Sequence, residues 1–476
     1  MVFSSLTFLI FFAALCGIMA LTNIEKLMSA LPWDKASVRH VILLLASYVF
    51  YGWWNWKCCF LLLGLTAAVF FCALGFEKTG KKLCVTVGVV LPLFVLGIFK
   101  YYNFFVESFR QAFGIANGRS LNILLPIGIS FYTFQAVSYI IDVYRKRIAP
   151  EHSFIKTALY IGFFPELVSG PIVRAGMLLP QFYEDRNISL KNLETGVQIF
   201  VFGLFKKLVI ADNISVFVDA VHANPAEFHA LSVMLAVAAY SIQIYCDFSG
   251  YSDMAVGCAK CLGYELPRNF NLPYLSKNVT EFWKRWHITL SSWLQDYLYI
   301  PLGGNRKGVF LTYVNLMLTM LIGGLWHGAA WTFVAWGGLH GLALCVHKLW
   351  MKVHRKNASA FSDAVSVVLT FIFVSICWVF FRADSFECAT DIFRAIVTWQ
   401  DGVIYISFWA VFGIIAVTAA ELIAVLRSRK AGTKPEGFYP TVSLNTVSGL
   451  ALFFTFLGIT LGLAYTGQSP FIYFQF

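Results

Sequence analysis

Hydrophobic residues in this chain form long runs that are separated by short polar loops. A helix needs roughly 20 mostly apolar residues to cross the hydrocarbon core of a bilayer. Runs of sufficient length predict spanning helices at residues 3–21, 38–56, 58–76, 83–105, 121–143, 197–221, 230–257, 309–327, 331–350, 364–382, 404–426 and 447–465. The pattern therefore predicts an all-α polytopic integral membrane protein with about twelve spanning helices.

The composition agrees with lipid as the solvent. Of the 476 residues, 59% are hydrophobic and 13% are charged, whereas a soluble globular domain carries about 25% charged residues. The 47 Phe, 21 Tyr and 14 Trp exclude a disordered chain. No repeat and no soluble domain interrupts the apolar pattern, so residues 1–476 are predicted to form a single membrane domain.

Basic residues concentrate in a few short loops, so the net charge of +11 indicates membrane topology and does not indicate nucleic-acid binding. Cytoplasmic loops of membrane proteins carry an excess of Lys and Arg. On this rule both termini lie outside the cytoplasm. The loops predicted to be cytoplasmic contain Lys78, Lys81 and Lys82; Arg145, Lys146 and Arg147; Lys348, Lys352, Arg355 and Lys356; and Arg427, Arg429 and Lys430.

Two stretches on the cytoplasmic side do not resemble simple spans. Residues 158–182 are apolar but are interrupted by proline and glycine, which predicts a re-entrant segment. Residues 281–300 place several apolar side chains on one stripe at helical spacing, which predicts an interfacial amphipathic helix. That stripe contains Trp283, Trp286, His287, Leu290, Trp293, Leu294 and Tyr297.

Three histidines are candidates for chemistry. His327 lies among glycines in an apolar run, and an ionisable residue in such a run is a functional hypothesis. Its imidazole suits a general base, but a structural histidine packed between Trp326 and Trp331 is an equally good interpretation. His287 points into a cavity or rests at the level of the lipid headgroups. His340 has glycine neighbours and ranks third.

Other polar residues within apolar runs each have two possible roles. Asp247 and Asp253 either orient a catalytic imidazole or stabilise a helix break at Gly250, since a buried carboxylate needs partners. Lys206 and Lys207 either bind the phosphates of a cofactor or snorkel to the membrane surface. The C-x-x-C spacing of Cys258 and Cys261 lacks a second ligand pair, so no metal site is predicted.

Several longer segments together resemble the membrane-bound O-acyltransferase (MBOAT) family, in particular its bacterial alginate O-acetylation branch. They are residues 125–135 (LPIGISFYTFQ), 169–174 (SGPIVR), 243–255 (QIYCDFSGYSDMA), 270–275 (FNLPYL), 282–294 (FWKRWHITLSSWL), 296–305 (DYLYIPLGGN), 323–333 (GGLWHGAAWTF) and 337–341 (GGLHG). The segments are long and occur in the family's order. The resemblance covers nearly the whole chain.

The resemblance implies the MBOAT fold and an enzyme that takes an acyl group from a cytoplasmic thioester. The catalytic histidine of the family falls on His327, and its second motif histidine falls on His287. The expected donor is acetyl-CoA, bound as a substrate, with no permanently bound cofactor. Basic side chains near the cytoplasmic opening of the site are expected to hold the phosphates of acetyl-CoA. Further side chains are expected to support the histidines. The former are Lys284, Arg285, Arg306 and Lys307; the latter are Asp247, Asp253, Trp326 and His340.

The expected acceptor is reached from the other face of a bacterial inner membrane. By analogy with the family, an extracytoplasmic acetyltransferase resembling SGNH hydrolases is the expected partner, and the product is an O-acetylated exported polysaccharide. Peptidoglycan O-acetylation and teichoic-acid D-alanylation are alternatives that use the same chemistry. A transporter or flippase with a midplane site is an alternative of another class, and a scaffold that only recruits a secreted enzyme is a third.

Overall fold

The structure, a computed structural model, describes residues 1–29, 32–115, 121, 123–168, 170–353, 359–467 and 469–472. Over these ranges the regular secondary structure is helical, and a single isolated β-bridge joins Phe228 to Val403. Ser169 of the 169–174 motif, and Arg355 and Lys356 of one basic loop, lie outside the described residues.

The chain folds into helices at every apolar run that the sequence analysis marked. The α-helices are α1 (Leu6–Leu21), α2 (Glu25–Met28), α3 (Lys35–Asn55), α4 (Lys57–Thr79), α5 (Lys82–Leu96), α6 (Tyr102–Phe113), α7 (Ile129–Tyr144), α8 (Phe154–Gly162), α9 (Phe164–Leu167), α10 (Ala175–Leu178), α11 (Leu190–Phe205), α12 (Asp212–Ala223), α13 (Ala230–Cys261), α14 (Val279–Arg285), α15 (Ile288–Leu294), α16 (Val309–His327), α17 (Trp331–Val353), α18 (Ala360–Arg382), α19 (Phe386–Val397), α20 (Phe408–Lys430) and α21 (Val447–Gly462). Short π-helices cover Gly97–Tyr101, Lys206–Ala211 and Gln295–Tyr299, and short 3-10 helices cover Leu179–Tyr183, Pro225–Glu227 and Pro273–Leu275.

Seven helices within the described ranges are long and apolar enough to cross a membrane. They are Lys35–Asn55, Lys57–Thr79, Lys82–Phe113, Ala230–Cys261, Val309–His327, Phe361–Arg382 and Phe408–Lys430. The shorter apolar helices Leu6–Leu21 and Val447–Gly462 match two further predicted runs. The prediction of an all-α, multi-pass membrane protein is confirmed, while the number of twelve spans stays a prediction.

The chain forms two compact units, of which the first comprises Met1–Phe200 and Ser252–Pro267. Within this unit the stretch 158–182 consists of short helical pieces with irregular backbone between them, and Gly170 and Pro171 lie in one of the irregular parts. Gln135 donates a 2.5 Å hydrogen bond to the buried carboxyl group of Glu166. A β-carbon on Gly170 would lie 2.3 Å from the carbonyl oxygen of Pro165, so this turn requires glycine.

The second unit comprises Val201–Tyr251 and Arg268–Phe476, and its centre is the helical hairpin of α16 and α17. Glycines bring the two backbones into contact. A β-carbon on Gly324 would lie 2.3 Å from the carbonyl oxygen of Phe333, and one on Gly337 would lie 2.3 Å from that of Met320. Any larger side chain at either position must push the helices apart.

The segment 281–300 differs from its predicted form in continuity. It is not a single helix, because α14 ends at Arg285, α15 begins at Ile288 and a π-helix follows from Gln295. The break falls at His287, whose backbone is left-handed with a φ of 41°. The predicted apolar stripe is nevertheless buried along its whole length: Trp283, Trp286, His287, Leu290, Trp293, Leu294 and Tyr297.

The predicted helix break at Gly250 is wrong, since α13 runs without interruption from Ala230 to Cys261. Glycine is needed there for close packing: a β-carbon on Gly250 would lie 2.7 Å from the carbonyl oxygen of Gly203. The snorkelling interpretation of Lys207 is wrong as well. Its side chain is 2% exposed and its ammonium group contacts carboxylates, as described below.

We expect Gly337→Ala to lower the free energy of unfolding by about 1–3 kcal/mol, because the added methyl group collides with rigid backbone. Gly338→Ala is the matched control. It lies next in the same helix, and its β-carbon would meet only the Leu321 side chain, at 3.5 Å. Thermal unfolding of the two purified variants measures the difference, and equal melting temperatures would contradict the close backbone contact.

Candidate active site

Two histidines that are 40 residues apart in the chain come together in the second unit. His327 is the last residue of α16, and His287 lies between α14 and α15. Their ring centroids are 6.4 Å apart, and their relative exposures are 4% and 0%. At this spacing one small group between the rings is within reach of both imidazoles.

The position of His287 is fixed by the backbone around it. Its left-handed conformation is uncommon for a residue other than glycine. Asn269 holds the turn, because its carbonyl oxygen accepts the Ile288 amide at 2.9 Å and its side-chain oxygen accepts the Thr289 hydroxyl at 2.6 Å. The carbonyl of His287 then accepts the Ser291 amide and starts α15. The imidazole is thus carried on a constrained turn.

Aromatic rings surround both imidazoles. The centroid of His327 lies 5.0 Å from Trp326, 5.0 Å from Trp336 and 5.4 Å from Phe381. Phe248 meets His287 edge to face at 4.6 Å. Burial lowers the pKa of His287 to about 3, so this ring is neutral at physiological pH and able to accept a hydrogen bond.

His340 and Trp326 also lie in this aromatic cluster. The indole of Trp283 donates to Nδ1 of His340 at 3.3 Å, and the fully buried His340 ring lies 5.0 Å from Trp336. Trp326 lies against His327 and is 6.2 Å from His287. His340 therefore contacts the neighbours of His327, whereas Trp326 is close to both histidines.

The four basic residues expected at the donor end have different surroundings. Arg285 is engaged within the chain, where its guanidinium pairs with Glu281 at 2.8 Å and donates to the Asn271 carbonyl at 3.2 Å. Lys284, Arg306 and Lys307 are exposed. Their role in binding phosphate stays a prediction.

The two aspartates fall in different units. Asp247 pairs with Lys207 at 2.7 Å and accepts the Ile472 amide at 2.8 Å. Asp253 is buried in the first unit. The contacts described for Asp247 place it in an ion cluster with Lys207, and the role of either aspartate in supporting the histidines stays a prediction. In the part of the chain that the structure describes, no three His, Cys, Asp or Glu residues are grouped so as to hold a metal.

Sequence reasoning missed several neighbours of the histidines. Trp336 immediately precedes Gly337, which packs α17 against α16. The GGLHG motif at 337–341 therefore could have indicated that Trp336 lies close to His327. Phe248 is marked only by its place within the 243–255 motif, and Phe381 is not marked at all, because phenylalanine is common throughout the apolar runs. The only sequence feature that indicates a role for Asn269 is that it immediately precedes the 270–275 motif.

A sequence model of the membrane-bound O-acyltransferase family, MBOAT, matches residues 5–388. The chain belongs to the MBOAT family. It is 42% identical over 379 residues to the probable alginate O-acetylase AlgI of Pseudomonas aeruginosa, covering 76% of this chain and 71% of the relative. It is 40% identical over 385 residues to the peptidoglycan O-acetyltransferase of Helicobacter pylori, covering 75% and 73%.

A more distant relative is the teichoic acid D-alanyltransferase of Bacillus subtilis. That protein is 28% identical over 287 residues, which are 56% of this chain and 71% of the relative. This MBOAT protein is therefore an O-acyltransferase and a multi-pass membrane protein, as the sequence analysis expected. Its individual site residues stay predictions.

The left-handed turn at His287 makes a prediction for this MBOAT site. We expect His287→Val to lower the free energy of unfolding by roughly 1–2 kcal/mol more than His287→Asn, because asparagine tolerates the left-handed region and a β-branched residue does not. Thermal unfolding in the same detergent compares the two. Equal stability would mean that the turn relaxes to another backbone conformation.

Proposed function

We propose that this protein transfers an acetyl group from cytoplasmic acetyl-CoA across a bacterial inner membrane, for the O-acetylation of an exported polysaccharide. The acyl group reaches its final acceptor through an extracytoplasmic acetyltransferase partner resembling SGNH hydrolases. The observation that carries the proposal is the pair of buried imidazoles, His287 and His327, with 6.4 Å between ring centroids.

The chemistry needs one base and one site for a thioester. His327 removes the proton from an acceptor hydroxyl, and the oxygen attacks the acetyl carbonyl carbon. The tetrahedral intermediate collapses by breaking the carbon–sulfur bond, and the imidazolium of His327 returns the proton to the leaving thiolate. The products are an acetyl ester and free CoA. His287, neutral and 6.4 Å away, orients the thioester or the hydroxyl.

The aromatic surroundings support this role. Trp326, Trp336 and Phe381 pack around His327, and apolar surroundings strengthen electrostatic interactions within a site. The acetyl end of the donor is small and uncharged, whereas its nucleotide is anionic and stays at the polar surface. Exposed Lys284, Arg306 and Lys307 are suited to its phosphates.

The relatives support a polysaccharide as the final acceptor. The two that share 42% and 40% identity are named for O-acetylation of alginate and of peptidoglycan, and the one with 28% identity is named for D-alanylation of teichoic acid. Acetyl transfer is therefore the leading proposal. Between exported polysaccharides we place an alginate-type acceptor first and peptidoglycan second.

We expect His327→Ala to lower the rate of acetyl transfer from acetyl-CoA by about 10² to 10⁴, the usual contribution of a general base. His152→Ala is the control, because this exposed histidine of the first unit contacts only Glu77 among the ion pairs described. Product formation with radiolabelled acetyl-CoA gives the rate. Full activity of His327→Ala in a folded protein contradicts the catalytic role and favours a scaffold.

We expect Lys284→Gln, Arg306→Gln and Lys307→Gln together to raise the KM for acetyl-CoA several-fold at low salt and less at high salt, because salt screens exposed charges. Acetylpantetheine, which lacks the nucleotide and its phosphates, is the control substrate. Its KM should stay the same in wild type and the triple variant. An equal rise for both donors would show a general distortion and not phosphate binding.

A transporter is the alternative of another class. It requires movement of a whole solute without cleavage of the thioester, so it predicts no acetyl transfer by the purified protein. Cleavage that depends on His327 therefore separates the two functions.

A further inference from the structure

A buried ion cluster lies in the second unit beside the histidine pair. The ammonium group of Lys207 lies 2.7 Å from Oδ1 of Asp212 and 2.7 Å from Oδ1 of Asp247. It also donates to the carbonyl oxygen of Ser469 at 3.2 Å. The ammonium group thus donates hydrogen bonds to Asp212 and Ser469 and forms an ion pair with Asp247.

Two local features bring the cluster together. Lys207 lies in the π-helix Lys206–Ala211, and short π-helical stretches are frequent at functional sites. Gly250 lets α13 approach that stretch, because a β-carbon there would lie 3.1 Å from the Lys207 amide nitrogen. Asp247, which is one turn earlier in α13, then reaches the ammonium group.

The cluster holds residues 469–472 at both ends. Lys207 donates to the carbonyl oxygen of Ser469. The second carboxylate oxygen of Asp247, Oδ2, accepts a hydrogen bond from the amide of Ile472 at 2.8 Å. We call residues 469–472 the clamped segment. Between its two bound ends lies Phe471, whose side chain is 1% exposed.

The two faces of the clamped segment have different surroundings. Ser469, Pro470 and Ile472 line a small polar cavity of about 50 Å³ together with Gln243 and Arg382. Phe471 is not among the lining residues. It packs on Tyr251, with 4.0 Å between ring centroids, and on Phe248 at 6.2 Å.

Phe248 connects this packing to the site. Its ring stands edge to face against His287, with centroids 4.6 Å apart and an interplanar angle of 85°. A continuous series of contacts thus runs from the Lys207 cluster through the clamped segment and Phe471 to Phe248 and His287. All of these residues belong to the second unit.

We propose that the clamped segment is a positioning element for His287, held by Lys207 and Asp247 and acting through Phe471 and Phe248. The inference rests on the proposed function. It assigns a role to a part of the chain beyond residue 388, where the match to the family ends. Displacement of a site group by about 1 Å by a remote mutation costs on the order of 10²-fold in rate, so packing behind an imidazole controls turnover.

The test compares Phe471→Leu with Phe217→Leu. Phe217 is an equally buried phenylalanine of the same unit, and its described ring contact is with Tyr405. We expect Phe471→Leu to lower kcat by about 10-fold or more and to leave the KM for acetyl-CoA within about twofold, at a melting temperature equal to that of Phe217→Leu. Asp247→Asn, which weakens the clamp, should have the same effect if it folds.

A chemical readout does not depend on acetyl transfer. His287 is fully buried, so diethyl pyrocarbonate should modify it slowly in wild type and in Phe217→Leu. It should modify His287 several-fold faster in Phe471→Leu, as measured by peptide mass spectrometry. The proposal is overturned if His287 reacts no faster in Phe471→Leu than in Phe217→Leu, or if kcat falls no further than in Phe217→Leu. An inactive wild-type protein in which the labelling follows this pattern refutes the proposed function alone.

Discussion

The contact between α16 and α17 determines where the chemistry of this protein can occur. Gly324 and Gly337 let each backbone lie against a carbonyl group of the other helix. His327 follows Gly324 by three residues, and Trp336 immediately precedes Gly337, so the same contact brings the Trp336 ring to 5.0 Å from His327. His287 then reaches this pair from a separate turn that Asn269 holds in place. The glycine contact thus sets the positions of His327 and Trp336, and the Asn269 turn sets that of His287.

The buried charges of Lys207, Asp212 and Asp247 in the second unit partly neutralise one another. Removing Lys207, Asp212 and Asp247 from water carries a large desolvation cost, which is offset only when geometry and additional hydrogen bonds are good. Here the ammonium group pairs with two carboxylates and binds the Ser469 carbonyl, and Asp247 also accepts a backbone amide. Such a cluster adds little to net stability, but it specifies one arrangement of the chain segments that meet around it.

The sequence predicted the class of fold, the buried stripe of 281–300 and the two histidines that the structure brings together. Periodicity succeeded there because burial alone decides which face of an amphipathic stretch points inward. The sequence-based predictions failed at His287 and at Gly250 for different reasons. A left-handed residue between two short helices leaves the apolar spacing intact, and a glycine in a polar motif serves close packing as well as a break. The contacts of Lys207 with Asp247 and Ser469 were hidden because these residues lie 40 and 262 residues further along the chain, whereas Asp212 lies only five residues away.

The last two residues of α18, Phe381 and Arg382, lie in different environments. Phe381 touches His327 at 5.4 Å, while Arg382 pairs with Asp219 at 2.8 Å and lines the polar cavity. Successive residues of an α-helix are rotated by about 100° about its axis, so inserting or deleting one residue within α18 would turn both side chains away from their partners at once. These two contacts therefore fix the rotation of α18 about its axis at its final turn. Insertions or deletions that change the length of the helix are tolerated only at its N-terminal end.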